Sequence, residues 1–361
     1  MTSLSDEVTL KIGGLIHGGW TGLEIESSLT EISDSFSVSL TDLDPGRQAI
    51  FQVAPGNPCA LAIGGTTLIT GYVNDVDIAY DANSHGLTIR GRDKTGDLVD
   101  CTALVSGFGQ WNSVSLMVIA KELLAPFGIA ASSTVSDTSK VLAGHAVQMG
   151  ETVWECLDRA MRQYGVMAMV DGSGNLVFAR PGDGGALAEA RLGGNILSAS
   201  AAYSERETFR DYYVLGQFPG GNETYSDPRV TTGACEHAAD PNVARYRPLI
   251  VQVECNTSDM SFLPTRAAWE AAFRSGKGRR FTVTVAGWRD ANGMLYAANT
   301  MIRLEDDFLG VHETLLVVAV RLSLSENGQL ATLTLSRKEA FLPAPLTSLS
   351  PYENSTGRAA P

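Results

Sequence analysis

The segment that decides the fold is residues 67–94, TLITGYVNDVDIAYDANSHGLTIRGRDK. Residues 68–80 predict one long β-strand, because apolar and polar residues largely alternate with the period of a strand that buries one face. Residues 81–85 are rich in turn formers, and Leu87 and Ile89 then resume the alternation. The segment therefore predicts a long β-hairpin, which a charged run, GRDK, terminates.

A second segment has the same plan. Residues 314–339 are TLLVVAVRLSLSENGQLATLTLSRKE. Residues 315–324 predict a long strand, the ENG tripeptide predicts a turn, and residues 330–335 predict the returning strand. A charged run, SRKE, again ends the segment. The likeness is one of pattern rather than of identity, and it predicts two β-barrels of similar construction, one near each end of the chain.

The residues before the first hairpin also alternate with a period of two. Glycine pairs at Gly13-Gly14 and Gly64-Gly65 supply the positive φ angles that tight turns need. The apolar positions of the predicted strands are Val8, Leu10, Ile12, Leu23, Ile25, Phe36, Val38, Leu40, Cys59, Leu61 and Ile63. Strands that recur about every ten residues indicate a small barrel or sandwich, and we assign the first barrel to residues 1–99.

The pattern becomes helical after residue 100. Apolar residues from Leu116 to Phe127 fall at helical spacing, with Asn112 or Ser113 as the cap and Gly128 as the stop. A second helix is predicted to begin at the capping-box sequence TVWE, residues 152–155.

The second helix should end at Gly165, and a hairpin should follow around residues 171–174, DGSG. Residues 100–182 are therefore predicted to form a small α/β domain with two helices and a hairpin.

The remaining chain predicts three further units. Residues 183–216 and 276–342 are assigned to the second β-barrel, interrupted by an insertion domain at residues 217–275 whose single helix is capped by Thr265. Residues 343–361 are rich in Pro, Ser and Thr and predict an extended tail. The whole chain is thus predicted to be a β-rich α+β multidomain protein.

Composition excludes several classes of protein. The 361 residues carry a formal net charge of -13, whereas nucleic-acid binders and proteins that dock on anionic lipid need cationic surfaces. We therefore expect no specific nucleic-acid binding. No apolar stretch is long enough to span a bilayer, and residues 1–10 lack the features of a signal peptide. We expect no membrane insertion and no export by a standard signal.

The cysteine pattern favours a reducing compartment. Five cysteines are widely spaced and form no CxxC pair: Cys59, Cys101, Cys156, Cys235 and Cys255. Free thiols are the favoured interpretation, and a disulfide framework is the alternative.

Motifs for catalysis or for metal binding are incomplete. The five histidines form no HExxH motif, and Cys235 and His237 have no further ligand nearby in the sequence. The opening DGSGN at residues 171–175 mimics a calcium loop, but position twelve is Gly182 rather than an acid. GxSxG, P-loop and complete GxGxxG motifs are missing as well.

Acidic pairs occur at Asp42/Asp44, Asp75/Asp77 and Asp306/Asp307. We interpret the first pair as part of a turn and the second as a solvated strand face. The sequence thus predicts no catalytic residue, no metal site and no cofactor, and it predicts that the chain is not an enzyme.

Several stretches, in order from about residue 8 to residue 342, resemble the baseplate hub proteins of Mu-like contractile phage tails. This family is related to late control protein D and to the spike-base hubs of type VI secretion systems. The stretches are GRDKTGDLVDC (91–101), GQW (109–111), LAPFG (124–128), ETVWE (151–155), RYRP (245–248), GW (287–288) and GMLY (293–296). The first resembles the junction between a strand and a helix in that family. Residues 218–242 and the tail after residue 343 depart from it.

The resemblance implies a ring-shaped homotrimer in the virion baseplate, assembled in the host cytoplasm. Three subunits with two barrels each would present six barrels around a central channel and so adapt the sixfold tail tube to the threefold spike. The implied partners are the central spike protein, the tail tube protein and other baseplate proteins. The sequence identifies no partner-binding residues. One hypothesis from net charge alone is that an acidic channel lining repels DNA during genome ejection.

Three alternatives remain open at this point. The chain could be the hub of a related secretion or pyocin-type injection machine. It could be a cell-wall hydrolase acting as a tail lysin, or a carbohydrate-binding β module. The hydrolase requires converging acids or a metal site, and the module requires clustered aromatic residues.

Overall fold

The fold is dominated by β-strands. A computed structural model describes residues 6–41, 53–80, 85–105, 109–185, 187–217, 234–254 and 263–342. Among these residues the strands form one thirteen-stranded sheet, two three-stranded sheets and one two-stranded sheet. The predicted fold class, a β-rich α+β multidomain protein with few helices, is confirmed.

The elements follow one another along the chain in this order. The strands are β1 (Val8–Ile12), β2 (Leu15–His17), β3 (Gly22–Ser28), β4 (Ser35–Thr41), β5 (Pro58–Ile63), β6 (Thr66–Tyr80), β7 (His85–Asp93), β8 (Gln110–Ser115), β9 (Ala131–Ser133), β10 (Val141–Ala146), β11 (Met167–Val170), β12 (Leu176–Ala179), β13 (Ala188–Arg191), β14 (Ile196–Tyr203), β15 (Asp211–Gln217), β16 (Ala234–Ala239), β17 (Pro248–Glu254), β18 (Arg279–Ala286), β19 (Met301–Asp306), β20 (Val311–Ser325) and β21 (Gly328–Ser336). The α-helices are α1 (Gly96–Asp100), α2 (Leu116–Leu124), α3 (Val153–Tyr164) and α4 (Leu263–Lys277). No helix among the described residues is long and apolar enough to cross a lipid bilayer.

Both predicted hairpins are present and have matching dimensions. The hairpin β6–β7 pairs a strand of 15 residues with one of 9 residues, and so does the hairpin β20–β21. Each long strand carries a register shift at the same relative place, between Val73 and Asp75 in β6 and between Val317 and Ala319 in β20. The likeness inferred from the pattern therefore extends to strand lengths and to a β-bulge, which strengthens local twist.

The likeness also extends to strand order. The first half of the chain pairs its strands in the order β1-β5-β6-β7-β4-β3, and the second half in the order β13-β19-β20-β21-β18-β14. We call these two sets the first unit and the second unit. They differ at one margin, because β1 runs antiparallel to β5 whereas β13 runs parallel to β19.

The two units share one sheet and one core. Strand β20 of the second unit pairs with β3 of the first unit, so the sheet continues across both. Buried side chains of both units form a single hydrophobic cluster, which includes Leu10, Phe36, Phe281, Trp288 and Leu333. Phe36 and Phe281 occupy equivalent places, each paired with the short hairpin strand, at Gly91 and at Leu335 respectively.

The α/β domain contains both predicted helices and the predicted hairpin. The capping box of α3 is formed as expected: the Thr152 hydroxyl accepts the Glu155 N–H, and the Glu155 carboxylate accepts the Thr152 N–H. Gly165 ends the helix in the left-handed region, at φ 61°. Helices α2 and α3 pack their apolar faces into a second core around Leu116, Leu157 and Tyr164.

The start of α2 differs from the prediction. The helix is capped at Ser115, and the expected cap residues Asn112 and Ser113 lie inside strand β8. That strand pairs with β10, bringing Trp111 opposite His145. The strand prevails over the local capping signal because Trp111 is buried in this non-local pairing.

Strands β15, β16 and β17 form a separate three-stranded sheet. Strand β15 pairs antiparallel with β16 and parallel with β17, and among the described residues it pairs with no strand of the large sheet. The sequence placed residues 211–216 in the second barrel and gave no strand to residues 234–239. Helix α4 begins at Leu263 rather than after a cap at Thr265. The division into domains stays a prediction, and the predicted tail at 343–361 lies outside the described residues.

Candidate assembly interface

The junction between the two units is an antiparallel strand pair within one chain. Residues 319–324 of β20 pair with residues 23–28 of β3, in a register that places Ala319 opposite Ser28 and Leu324 opposite Leu23. We call this pair the junction. It joins a strand at the margin of the first unit to the middle of the second.

One face of the junction is apolar and closed to solvent. Val320 and Leu322 of β20 and Leu23 and Ile25 of β3 are all buried. Burying an aliphatic side chain of this size contributes about 1.5–3 kcal/mol relative to leaving it exposed. These four side chains therefore account for most of the stabilisation at the junction.

The other face of the junction is polar. The guanidinium of Arg321 bonds the carboxylate of Glu24 at 2.5 Å and lies 3.3 Å from that of Glu26. The hydrogen bond with Glu24 raises the pKa of Arg321 above its ordinary value. Because all three side chains are exposed, these ion pairs contribute at most about 1 kcal/mol to the stability of the strand pair. Their main effect is to favour this register over others.

This polar face continues across both units and is rich in hydroxyl groups. Thr284 and Thr332 approach to 3.2 Å and Ser39 and Thr88 to 3.3 Å. The hydroxyl residues on this face include Ser28, Ser35, Ser37, Ser39, Thr88, Ser198, Ser200, Thr282, Thr284, Ser323, Thr332 and Thr334. The surface is thus a broad, polar sheet face with short side chains.

Charges on this face are of both signs. The acidic side chains Glu24, Glu26, Asp75 and Asp77 share it with the basic side chains Arg90, Arg92, Arg280 and Arg321. These four negative and four positive charges balance. The acidic excess of the whole chain is therefore not carried by these eight residues.

The first unit has the counterpart of the β20 segment, but no strand of the described residues covers it. When the two hairpins are compared, Val76 of β6 lies opposite Ile89 of β7, as Val320 of β20 lies opposite Leu333 of β21. Val76 therefore corresponds to Val320, and Ile89 corresponds to Leu333. By the same register residues 75–79 correspond to residues 319–323, and we call them the β6 edge. Among the described residues, β7 pairs with one side of this segment and no strand with the other.

Strand β14 is the counterpart of β3. Ile25 lies opposite Phe36, and Ala201 lies opposite the corresponding Phe281, so Ile25 and Ala201 are equivalent. Strand β14 pairs with β18 on one side, and within the part of the chain that the structure describes it has no strand on the other. We call the outer side of residues 198–203 the β14 edge. The sequence did not identify either edge, because equivalence appears only once the pairing is known.

Those candidate metal and catalytic residues that the structure describes do not form a site. His237 bonds Asp211 at 3.0 Å, while Cys235 lies two residues away on the same strand. Asp171 closes its turn by accepting the N–H groups of Ser173 and Asn175. Among the described residues no three His, Cys, Asp or Glu side chains are grouped as metal ligands. Asp42, Asp44 and Cys255 lie outside the described residues.

A buried cysteine–histidine pair was not foreseen from the sequence. The Sγ of Cys156 lies 3.4 Å from Nε2 of His145, beside Glu151 and Arg159. Burial raises the pKa of the Cys156 thiol to about 12, and burial together with Arg159 lowers the pKa of His145. Both groups are therefore neutral at pH 7, which is the opposite of the thiolate–imidazolium state of a cysteine nucleophile. The pair packs the α/β domain.

Two aspartates, Asp34 and Asp93, hold together the connection between strand β7 and helix α1. Asp93 at the end of β7 is buried, and its carboxylate accepts N–H groups of Asp34 and Thr95 at 2.8 Å each. Burial, and then the nearby Asp93 carboxylate, raise the pKa of Asp34 to about 7. Burial also raises the pKa of Asp93. Asp93 thus ties the start of β4 to the turn before α1.

Three family models match the chain in succession. They are described as the N-terminal part of Mu phage baseplate assembly protein GpP-like (residues 7–93), the second domain of baseplate hub protein gp44-like (95–180) and the fourth domain of Mu phage baseplate assembly protein GpP (259–344). The baseplate hub protein gp44 of Escherichia phage Mu is 32% identical over 345 residues, covering 94% of this chain and 90% of that protein. The chain belongs to the Mu baseplate hub family.

Solved structures agree with this assignment. The 43 kDa tail protein of prophage MuSo2 from Shewanella oneidensis is 32% identical, with a TM-score of 0.78 over 94% of this chain and 100% of that one. A tail protein from Neisseria meningitidis MC58, 22% identical, superposes with a TM-score of 0.75 over 93% and 98%. The type VI secretion component c3393 of E. coli, 12% identical over 94% and 78%, has a TM-score of 0.56 and shows the shared fold.

The predicted family is therefore confirmed, and the chain is a baseplate hub protein of a Mu-like contractile tail, a structural part of the virion. Nothing in these comparisons supports the tail lysin or the carbohydrate-binding module. The Mu-like relatives, at 32% identity, favour a phage tail over the secretion machine, whose component shares the fold alone.

Proposed function

We propose that three copies of this hub protein form a ring that adapts the sixfold tail tube to the threefold spike. The observation that carries the proposal is the duplicated strand order, β1-β5-β6-β7-β4-β3 and β13-β19-β20-β21-β18-β14. Three chains with two units each supply six similar units around one axis. The parts found once per chain, which are the α/β domain and the insertion, then repeat three times.

In this ring the hub acts by holding surfaces together and not by catalysis. Its partners are the central spike protein, the tail tube protein and other baseplate proteins, and it assembles in the host cytoplasm before it becomes part of the virion. The relatives that match most of the chain are named as baseplate hub and tail proteins, which supports a structural role.

The polar sheet face is our candidate for the wall of the central channel through which DNA passes. Its short hydroxyl side chains leave the surface smooth, and its eight named charges balance. The hypothesis of an acidic wall is not supported by these residues. A neutral polar wall would equally avoid the cationic groups that hold phosphates.

Native mass spectrometry and electron-microscopy class averages of the purified full-length chain test the ring. The expected result is a mass of three chains and a ring with six similar lobes. A monodisperse monomer at the highest attainable concentration would contradict the proposal, and so would a two- or four-chain assembly. Incubation with peptidoglycan should give no clearing in a zymogram, and clear lysis would restore the hydrolase alternative.

A further inference from the structure

The junction within the chain supplies a template for a contact between chains. We propose that the β6 edge of one subunit pairs antiparallel with the β14 edge of the next subunit, in the register of the junction. This inference rests on the proposed ring and specifies its contact. Since Leu322 faces Ile25 and Val320 faces Ser27 inside the chain, Ile78 is assigned to face Ala201 of the neighbour, and Val76 to face its Tyr203.

Equivalent residues differ in exposure as this pairing requires. Leu322 is 3% exposed beneath β3, whereas its counterpart Ile78 is 55% exposed. On the β14 edge, Tyr203 is a large side chain that is 60% exposed. Apolar residues along uncovered strand edges invite pairing with another strand, and both edges carry them where the template predicts a contact.

Side-chain sizes across the proposed contact are complementary. The junction places Leu322 opposite Ile25, two large residues, and Val320 opposite the small Ser27. The proposed contact places Ile78 opposite a small alanine and Val76 opposite the large Tyr203. The large Ile25 of β3 is thus replaced by the small Ala201 on β14, and the small Ser27 by the large Tyr203. Because one change offsets the other, a sheet of similar thickness can form at both contacts.

Charge selects this pairing over the alternatives. The β6 edge carries Asp75 and Asp77, so two β6 edges brought together would place like charges face to face. The β14 edge has no acidic residue, and its neighbouring strand contributes Arg280, which lies opposite Ala202. In the assigned register Asp77 faces Ala202 and approaches Arg280. The β6 edge is thus suited to pair with a β14 edge and not with a second β6 edge. A head-to-tail ring requires such a contact between two different surfaces.

Paired cysteines test the register in the full-length protein. Ile78→Cys and Ala201→Cys in one chain should be joined, across subunits, by a thiol cross-linker that spans about 5 Å, the separation of opposed side chains in a sheet. Denaturing electrophoresis should then show products of two and three chains. The single variants control for the exposed native thiols of Cys101 and Cys235.

Two matched pairs make the experiment specific. Arg321→Cys with Glu26→Cys lies across the exposed polar face of the junction and should cross-link within one chain, without an increase in mass. Ile78→Cys with Ala202→Cys places the second thiol on the opposite face and should cross-link far less. In addition, Ile78→Asp should raise the concentration for half-assembly by roughly tenfold or more, the change expected for one lost apolar contact.

The outcomes separate this inference from the proposed ring. A three-chain mass without a cross-link between positions 78 and 201 overturns the assigned pairing and leaves the ring standing. Cross-linking of the single Ile78→Cys variant to itself also overturns it, because that product requires two β6 edges in contact. A chain that stays monomeric at every concentration overturns both.

Discussion

Leu322 and Ile78 occupy the same position in the two hairpins, and strand β3 covers only the first of them. The same substitution should therefore affect the stability of the subunit very differently at the two sites. Leu322→Asp should lower the free energy of unfolding of the subunit by about 3–5 kcal/mol, because it removes a packed side chain and buries a charge. Ile78→Asp should change it by less than about 0.5 kcal/mol, as exposed substitutions do.

Urea denaturation under conditions that keep the protein monomeric measures both values. Leu322→Met, which conserves volume, serves as the control and should cost less than about 1.5 kcal/mol. Equal destabilisation by the two aspartates would show that Ile78 is already buried within its own subunit.

Stability should fall as the pH rises through neutrality, because of Asp34. Its folded-state pKa of about 7 lies above the ordinary value of 3.8, so the folded protein holds this proton more tightly than the unfolded chain does. The resulting stabilisation is complete below about pH 3.8 and is lost as the pH passes through 7. The raised pKa of Asp93 acts in the same direction.

Asp34→Asn should flatten the dependence between pH 5 and 8, with a gain on the order of 2 kcal/mol at pH 8 relative to the unsubstituted protein. Thermal or urea unfolding at several pH values measures the slope. If stability still falls with rising pH in the Asp34→Asn variant, groups other than Asp34 cause the dependence.

The four cysteines that the structure describes should react in two classes. Cys101 and Cys235 are exposed, whereas Cys59 and Cys156 are buried, and burial raises the pKa of both buried thiols to about 12. Iodoacetamide reacts with thiolates, so at pH 8 it should label the exposed pair and spare the buried pair. Peptide mapping by mass spectrometry reads out each site, and full labelling in denaturant is the control. Rapid labelling of Cys156 in the native protein would revive a catalytic role.

Helix α4 should depend on one buried carboxylate. Glu270 is buried and bonds Arg266 at 2.8 Å and Arg274 at 3.0 Å. Glu270→Ala would leave two guanidinium groups without this partner, and it should destabilise the insertion by about 2–4 kcal/mol. Hydrogen exchange of the α4 amides measures the change locally. Glu205→Ala, which breaks the exposed pair with Arg245, should have almost no effect.

Local chemistry made part of this fold predictable. The alternation around Leu87 and Ile89, the capping box of Thr152 and the positive φ of Gly165 are decided by residues close in sequence, and each is formed as expected. The strand-to-helix transition that the family resemblance of residues 91–101 implied is also present, with β7 ending at Asp93 and α1 starting at Gly96.

Distant pairing could not be predicted in the same way. Strand β8 displaced the expected cap at Ser113 because its partner is thirty residues away, and β15 joined β17 rather than the barrel for a similar reason. The β6 edge and the β14 edge have no signal in the local sequence at all. Ile78 looks like any residue of an alternating strand until β3 is found covering its counterpart.

The covalent link between the two units changes how the proposed ring would depend on protein supply. The β3–β20 contact forms while a single polypeptide folds, at an effective local concentration that dilution does not reduce. Half of the contacts around such a ring are then fixed before any encounter between chains. Its yield would vary with the third power of monomer concentration, where six separate units would require the sixth, and assembly could proceed early in infection while the hub is still scarce.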